Sequence, residues 1–170
     1  MPFFAPVFIA LVLFITPFSF LHAQNETRGT AELGFAFGPL LPARNGLMEL
    51  VPGWAVRGGL PSSLGFFEGE FYNGIGNGIV YRSAVVDYRL DLAVEPLLVH
   101  FLIGFHLDQY EQSTPEIPRR FAGGWHYGGG LTQWIAGPLD ARFDFRHRFG
   151  PGQVVEVLVG LTYRLSGGQN

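Results

Sequence analysis

The chain has 170 residues and a formal net charge of −3, with 48% hydrophobic, 15% charged and 15% aromatic residues. This length supports one domain, and the acidic balance argues against nucleic acid or an anionic lipid surface as a partner. Because the chain contains no cysteine, disulfides, thiol catalysis and Cys-ligated metal sites are excluded. The 24 glycines, together with the aromatic content, are typical of a membrane β-barrel.

The first 23 residues form an apolar block that we predict to be a cleavable signal peptide. FFAPVFIALVLFI supplies the hydrophobic region, and the small Ala23 precedes a polar segment. Pro6 and Pro17 argue against an uninterrupted membrane-spanning helix. Because no Lys or Arg precedes the apolar run, a membrane anchor or a start codon placed too far downstream is the competing interpretation. The mature domain is therefore predicted to comprise residues 24–170.

Alternation of apolar and polar residues predicts eight β-strands in the rest of the chain, because a period of two places successive side chains on opposite faces of a sheet. The predicted strands are 30–38, 53–59, 64–72, 79–92, 97–108 and three runs within 121–165. The two longest connections are 39–52 and 109–120, and the others are short or modest. An even number of strands joined by alternating short turns and longer loops is typical of outer-membrane barrels.

The two faces of these predicted strands differ in chemistry. In the last strand Val157 and Val159 lie on an apolar face, whereas Glu156 and Arg164 lie on a polar one. An apolar face fills the core of a soluble barrel but contacts lipid in an outer-membrane barrel. The polar face mixes charge with glycine, and its cations are arginines because the chain has no lysine. Arginine suits ion pairs that lose water, so we predict lipid contact for the apolar face; a secreted soluble ligand-binding barrel is the competing interpretation.

The polar face is therefore predicted to line the lumen. Eight strands leave a lumen that is just wide enough for side chains to fill, so we predict a plug of ion pairs; a narrow pore for small solutes is the alternative. The predicted members of this network are Glu32, Arg57, Glu68, Glu70, Asp87, Arg89, Asp108, Arg142, Asp144, Arg146, Glu156 and Arg164.

Aromatic residues on the apolar face are predicted to lie at the lipid–water interfaces, where Trp and Tyr side chains are enriched. These residues are Trp54, Tyr88, Trp125, Tyr127 and Tyr163.

Five segments carry a resemblance to a known group of proteins: WHYGGGLTQWI, GPLD, ARFDFRHRFG, VLVGLTYRL and, as a fifth strand, LVHFLIGFHLD. They resemble the small outer-membrane β-barrel superfamily of Gram-negative bacteria, with eight-stranded barrels like those of OmpA and OmpX. The resemblance covers roughly residues 30–165 and implies a monomer in the cell outer membrane. It also implies lipid, lipopolysaccharide and the outer-membrane assembly machinery as partners. In that superfamily the machinery commonly reads an aromatic residue that ends the last strand; here Tyr163 has to serve, because the tail 166–170 follows.

Other candidate sites have simpler interpretations. The polar face also carries His100, His106 and His126 together with Asp108. Histidine and aspartate are common in metal sites, and histidine is a common general base. Histidines on such a face usually satisfy hydrogen bonds, so we predict no metal and no cofactor. Some small outer-membrane barrels modify lipid A through Ser-His chemistry, but no serine follows His147 in a His-x-Ser arrangement. We therefore predict that the protein is not an enzyme, with lipid A modification as an alternative.

The predicted function is structural or interactive, meaning envelope integrity or presentation of extracellular loops to a partner that the sequence does not identify. Arg119 and Arg120, in a predicted loop, are candidates to bind lipopolysaccharide phosphates, because guanidinium groups bind phosphate well. Solvated loop charges are the simpler interpretation of that pair.

Overall fold

The computed structural model describes residues 30–44, 50–76, 78–112, 120–150 and 153–165. Within these ranges the chain forms eight antiparallel strands that close into a barrel in chain order. The strands are β1 Glu32–Arg44, β2 Val51–Pro61, β3 Phe66–Gly76, β4 Ile79–Val94, β5 Leu97–Gln112, β6 Arg120–Ala136, β7 Leu139–Phe149 and β8 Gln153–Arg164. The predicted fold class, an eight-stranded up-and-down barrel, is confirmed. The predicted signal peptide lies outside the described residues.

The barrel closes because β1 pairs with β8 as well as with β2. Glu32 faces Arg164 across the β1–β8 junction, and the register continues to Phe37 opposite Val159. Closure pairs the backbone groups that an open sheet would expose along its edges. No helix in the described part of the chain is long and apolar enough to cross a membrane.

The barrel has two ends, which we call the terminal end and the loop end. The terminal end carries Glu32, the first residue of β1, and Arg164, the last residue of β8, together with the turns at 62–65, 95–96 and 137–138. The loop end carries the connections that follow β1, β3, β5 and β7. Gly78 and Gly137 have φ angles of 79° and 54° in the turns after β3 and β6. Glycine adopts this left-handed region without steric cost, so these turns can be tight.

The two faces of the wall follow the predicted alternation. Phe143 and Phe145 are exposed on the outside, whereas Arg142, Asp144 and Arg146 between and beside them are buried inside. On the other strands, too, the large exposed side chains are mostly apolar and the described ion pairs lie inside. This polarity is the reverse of that in a soluble barrel.

The loop-end halves of the first two strands correct a prediction. The connection predicted at 39–52 is mostly strand, because β1 continues to Arg44 and β2 begins at Val51. Pro39 faces Pro52 in the β1–β2 register, and the β1–β8 register has no partners between Phe37 and Leu40. Proline cannot donate to a ladder, so the composition of this stretch is typical of a loop although the backbone remains extended. The connection predicted at 109–120 is shortened in the same way, by extension of β5 to Gln112 and of β6 from Arg120.

Glycines on the inner face leave room for the long interior side chains. A Cβ at Gly128 would overlap the carbonyl oxygen of Phe145 and lie 2.9 Å from the Cγ of Arg146. By contrast, a Cβ at Gly69, on the outer face, would meet nothing within 4 Å. The interior is therefore packed closely enough at Gly128 that one methyl group matters.

We predict that Gly128→Ala lowers the free energy of unfolding by about 1–3 kcal/mol, the usual cost of overpacking. Gly69→Ala should change it by less than about 0.5 kcal/mol, as surface substitutions usually do. Denaturant titrations of both variants in detergent micelles measure the two values. Equal effects would contradict the close packing described at Gly128.

Candidate functional site

The barrel interior gathers all the residues that the sequence assigned to the lumen. Ten of the twelve are buried, and the remaining two, Glu32 and Arg164, lie at the terminal end, where their side chains are 13% and 35% exposed. The strands deliver them to one space because each occupies an inward position of its own strand. Their contacts define what the interior can do chemically.

Near the terminal end, Arg89 binds three carboxylates. Its Nη1 lies 2.8 Å from Glu32 and 3.0 Å from Glu68, and its Nε lies 2.9 Å from Asp91. The guanidinium carbon also stands 4.3 Å from the ring centroid of Phe66. A buried cation with this many partners is compensated both by charge and by an aromatic face.

The next level joins opposite walls of the barrel. Arg142 binds Glu68 at 2.6 Å and Asp144 at 2.9 Å. Arg57 binds Asp144 as well, and it lies 3.2 Å from Glu70. Because Asp144 contacts two arginines and Glu68 contacts three, removal of any one charge leaves its neighbours incompletely paired.

Arg146 is the most heavily shared cation of the interior. Its guanidinium lies 2.5 Å from Glu70, 2.9 Å from Glu156, 3.1 Å from Asp87 and 3.5 Å from Glu68. The side chain of Arg146 is fully buried, as are those of Glu70, Asp87 and Glu156. These contacts link β3, β4, β7 and β8 through one side chain.

Arg148 belongs to the same network, although sequence reasoning missed it. Its guanidinium lies 2.7 Å from Glu156 and 3.2 Å from Asp108, and it donates hydrogen bonds to the hydroxyls of Ser83 and Tyr81. The signal was present in the chain, because Arg148 continues the inward series of β7 by two residues.

The three inward histidines also have partners. His100 Nε2 lies 2.7 Å from Asp144. His126 contacts Asp87 through Nε2, and its Nδ1 lies 3.3 Å from the Nδ1 of His106. Within the described ranges, no group of three or more His, Asp or Glu side chains could hold a metal ion. The arrangement extends the hydrogen-bonded network.

The interior also contains an apolar cluster beside the charged network, which the sequence analysis did not predict. It is formed by buried residues of β1 to β4 and β8: Ala36, Leu40, Val51, Ala55, Tyr72, Tyr81, Val154 and Leu158. Several of them, such as Val154 and Leu158, share the inward parity of Glu156 on β8. Alternation could have placed them inside, but the rule that polar residues face inward left them out.

Tyr72 supports the apolar cluster where the prolines interrupt the backbone hydrogen bonding of β1 and β2. Its hydroxyl lies 3.0 Å from the carbonyl oxygen of Gly38 and 2.9 Å from that of Val51. These carbonyls belong to the residues that precede Pro39 and Pro52. A buried carbonyl without a partner is costly, so this hydroxyl stabilises the strands at their irregular position.

The five outward aromatic residues lie toward the two ends of the barrel. Trp54, Trp125 and Tyr127 lie on the loop-end side, and Trp125 is paired with Phe105 and Phe149. Tyr163 lies at the terminal end of β8, opposite Leu33 and Leu139. Tyr88 also lies toward the terminal end. Its ring centroid is 5.1 Å from that of Phe67, and its hydroxyl oxygen is 3.4 Å from that of Ser62.

His147 packs on the outer face among aromatic rings. The ring centroids of Tyr127 and Phe149 lie 5.9 Å and 4.3 Å from it. In the part of the chain that the structure describes, no hydrogen-bond partner reaches its Nε2. Nucleophilic catalysis requires a hydroxyl or thiol within reach of the base, and within the described residues no hydroxyl forms a hydrogen bond with Nε2 of His147.

Comparison with solved structures shows the same architecture in bacterial proteins. The N-terminal β-barrel domain of Pseudomonas aeruginosa OprF is 11% identical, with a TM-score of 0.63 over 81% of this chain and 98% of that one. Neisserial surface protein A is 10% identical, with a TM-score of 0.58 over 80% and 96%. Ail, the attachment invasion locus protein of Yersinia pestis, is 13% identical, with a TM-score of 0.57 over 80% and 97%.

All three are eight-stranded outer-membrane β-barrels, so this chain has their fold. No protein-family model and no curated protein sequence matches the chain.

We predict that Arg146→Met lowers the free energy of unfolding by about 3–5 kcal/mol, because it leaves buried carboxylates without their shared cation. Arg164→Met should cost less, about 1–3 kcal/mol, since among the described residues Arg164 pairs with one carboxylate, Asp140, rather than four. Tryptophan fluorescence during denaturant titration in lipid vesicles measures both. Similar costs for the two variants would show that Arg146 does not hold the interior together.

Proposed function

We propose that the protein is an integral outer-membrane β-barrel whose role is structural or interactive: it stabilises the envelope or presents the loops of its loop end to a partner. The observation that carries this proposal is the reversed polarity of the barrel. Phe105, Leu60 and Phe37 are 73%, 65% and 62% exposed, whereas Arg146, Arg148 and Glu156 are fully buried. A soluble monomer rarely exposes an apolar patch above a few hundred Å², whereas here exposed apolar side chains occur on all eight strands of the barrel.

The interior supports a plug rather than a pore. Side chains from opposite walls meet at hydrogen-bond distance, as Arg142 meets Glu68 and Arg146 meets Glu70. At the loop end, the ring centroids of Tyr72 and Tyr81 lie 5.9 Å apart in the apolar cluster. Solutes can pass only if both groups of contacts separate, so we infer that the barrel does not conduct at rest.

The partners follow from this location. Membrane lipid covers the outer face, with Trp54, Trp125 and Tyr127 at the interface near the loop end and Tyr88 and Tyr163 at the other. Lipopolysaccharide is the expected lipid of the outer leaflet, although Arg119 and the Arg120 side chain lie outside the described residues. We further propose delivery by a cleaved signal peptide, insertion by the outer-membrane assembly machinery and function as a monomer.

The experiment that tests this function is electrophoresis of the mature chain, residues 24–170, folded into detergent and run with and without boiling. A closed membrane barrel should resist SDS until it is heated and then migrate differently. Solubility in plain buffer with no such shift would overturn the proposal in favour of a ligand-binding barrel.

Conductance measurements distinguish a barrel with a plugged interior from one with a narrow pore. In a planar lipid bilayer the folded protein should give no regular current steps, because the interior contacts are continuous across the barrel. Regular steps would establish the pore instead. A changed lipid A mass in cells that overproduce the protein would establish the lipid-modifying enzyme.

Two outward positions test lipid contact directly. Val86, midway along β4, and Leu64, in a terminal-end turn, are 62% and 63% exposed. If water surrounded both side chains, substitution by arginine would therefore cost the same free energy at both positions. We predict that Val86→Arg costs about 2–4 kcal/mol in lipid vesicles, whereas Leu64→Arg costs about 0–1 kcal/mol, because the cost of a cation falls from the bilayer centre to its interface. Equal costs would show that lipid does not cover Val86.

A further inference from the structure

A cavity of about 200 Å³ opens at the terminal end of the barrel. One water needs only about 10–15 Å³ of such space, so the cavity can hold a group as large as a side chain. Its wall combines parts of β1, β4, β5, β6, β7 and β8 with the β4–β5 turn. The cavity lies at the end of the interior network, and nothing in the proposed structural role uses it.

The charge that this cavity leaves free is negative. Arg164 lines it, but its charge is paired with Asp140, to which its Nε and Nη2 donate at 2.6 and 2.5 Å. Arg89 is similarly occupied and almost fully buried. Glu95, in contrast, is exposed in the β4–β5 turn, and no described side chain pairs with it. An anion that enters the cavity therefore meets arginines that already bind carboxylates. A cation meets the carboxylate of Glu95, which no described arginine binds.

Two partly exposed carboxylates add to this field. Glu32 and Asp91 line the cavity with side chains that are each 13% exposed, and each shares its charge with Arg89. Carboxylates outside a fully dry interior can accept further hydrogen bonds through their remaining lone pairs. The cavity thus presents several acceptors, and each described arginine that lines it is paired with a carboxylate.

An independent observation places a polar atom at the cavity without a partner. Thr162 is 3% exposed and lines the cavity, and its hydroxyl oxygen has no hydrogen-bond partner within the described residues. Leaving a buried hydroxyl unpaired is costly, so a ligand that donates a hydrogen bond gains there. The wall also contains the indole of Trp134, which is held by its hydrogen bond of 2.9 Å to the carbonyl oxygen of Gly137.

We propose that this cavity binds a primary ammonium group. Such a group carries one positive charge and three donors, which match the free carboxylate of Glu95, the hydroxyl of Thr162 and the acceptors of Glu32 and Asp91. The indole of Trp134 offers an aromatic face, to which ammonium groups are attracted. The ammonium group belongs either to a small free amine or to a lysine side chain of a protein that docks at the terminal end.

The test uses the barrel folded in detergent micelles and the NMR signal of the Trp134 indole N–H. Titration with 1,5-diaminopentane should shift this signal saturably and leave those of Trp54 and Trp125 unchanged. The neutral 1,5-pentanediol should cause no saturable shift. Equal shifts from the diol, or no saturation with the amine, would overturn the proposal.

Matched variants locate the interaction. Glu95→Gln should weaken amine binding about tenfold, the effect expected for loss of one charged hydrogen bond, and Thr162→Val should weaken it severalfold. Glu111→Gln makes the same charge change near the loop end and should leave the affinity unchanged. If Glu111→Gln weakens binding as much as Glu95→Gln does, the amine responds to net charge alone and the site is refuted.

A second ligand distinguishes the two sources. Nα-acetyl-lysine amide presents the same ammonium group on a peptide backbone. If it binds as tightly as the diamine, the cavity accepts a protein side chain; if only the diamine binds, the cavity takes a small amine, and both results support the ammonium site. These readouts do not depend on membrane insertion, so failure here leaves the proposed function intact.

Discussion

The interior of an eight-stranded barrel is so narrow that its charged groups cannot keep their water, and the rest of this structure depends on that constraint. Arg146 shows the solution, because it lies within 3.5 Å of four carboxylates from three other strands. A buried charge without partners costs many kcal/mol, whereas a shared set with good geometry can balance its own desolvation. Arginine fits this task because its planar fork can bind several acceptors at once, and the chain has no lysine.

Space for these large side chains comes from glycines at the paired positions of the adjacent strands. Gly128 leaves room for Arg146, and Gly130 leaves room for His100, whose Nε2 would lie 2.6 Å from an added Cβ. Gly34 does the same for Arg57. The glycines and arginines of the inner face therefore form one packing arrangement, in which a small residue on one strand accompanies a long one on its neighbour.

Two parts of the interior meet the same constraint in different ways. In the ionic network, charged groups pair with each other; in the apolar cluster, Leu40, Leu158 and the tyrosines exclude water without charge. Arg148 connects the two parts, since it binds Glu156 and donates a hydrogen bond to the hydroxyl of Tyr81. A fold of this kind supports many roles, so function is to be sought where the barrel meets other molecules: its lipid-facing wall, its loops and its terminal-end cavity.

The sequence by itself determined the number of strands, their faces and most of the inward charges. These properties are local, because the alternation within each strand decides which way a side chain points. Tertiary structure decided which charges meet, since Arg57 and Asp144 are 87 residues apart and come together only through closure and register. It also decided that Pro39 and Pro52 lie in paired strands, that Val154 and Leu158 fill the interior, and that Glu95 and Thr162 share a cavity. Such contacts depend on the relative position of strands that are distant in the chain, which no local pattern specifies.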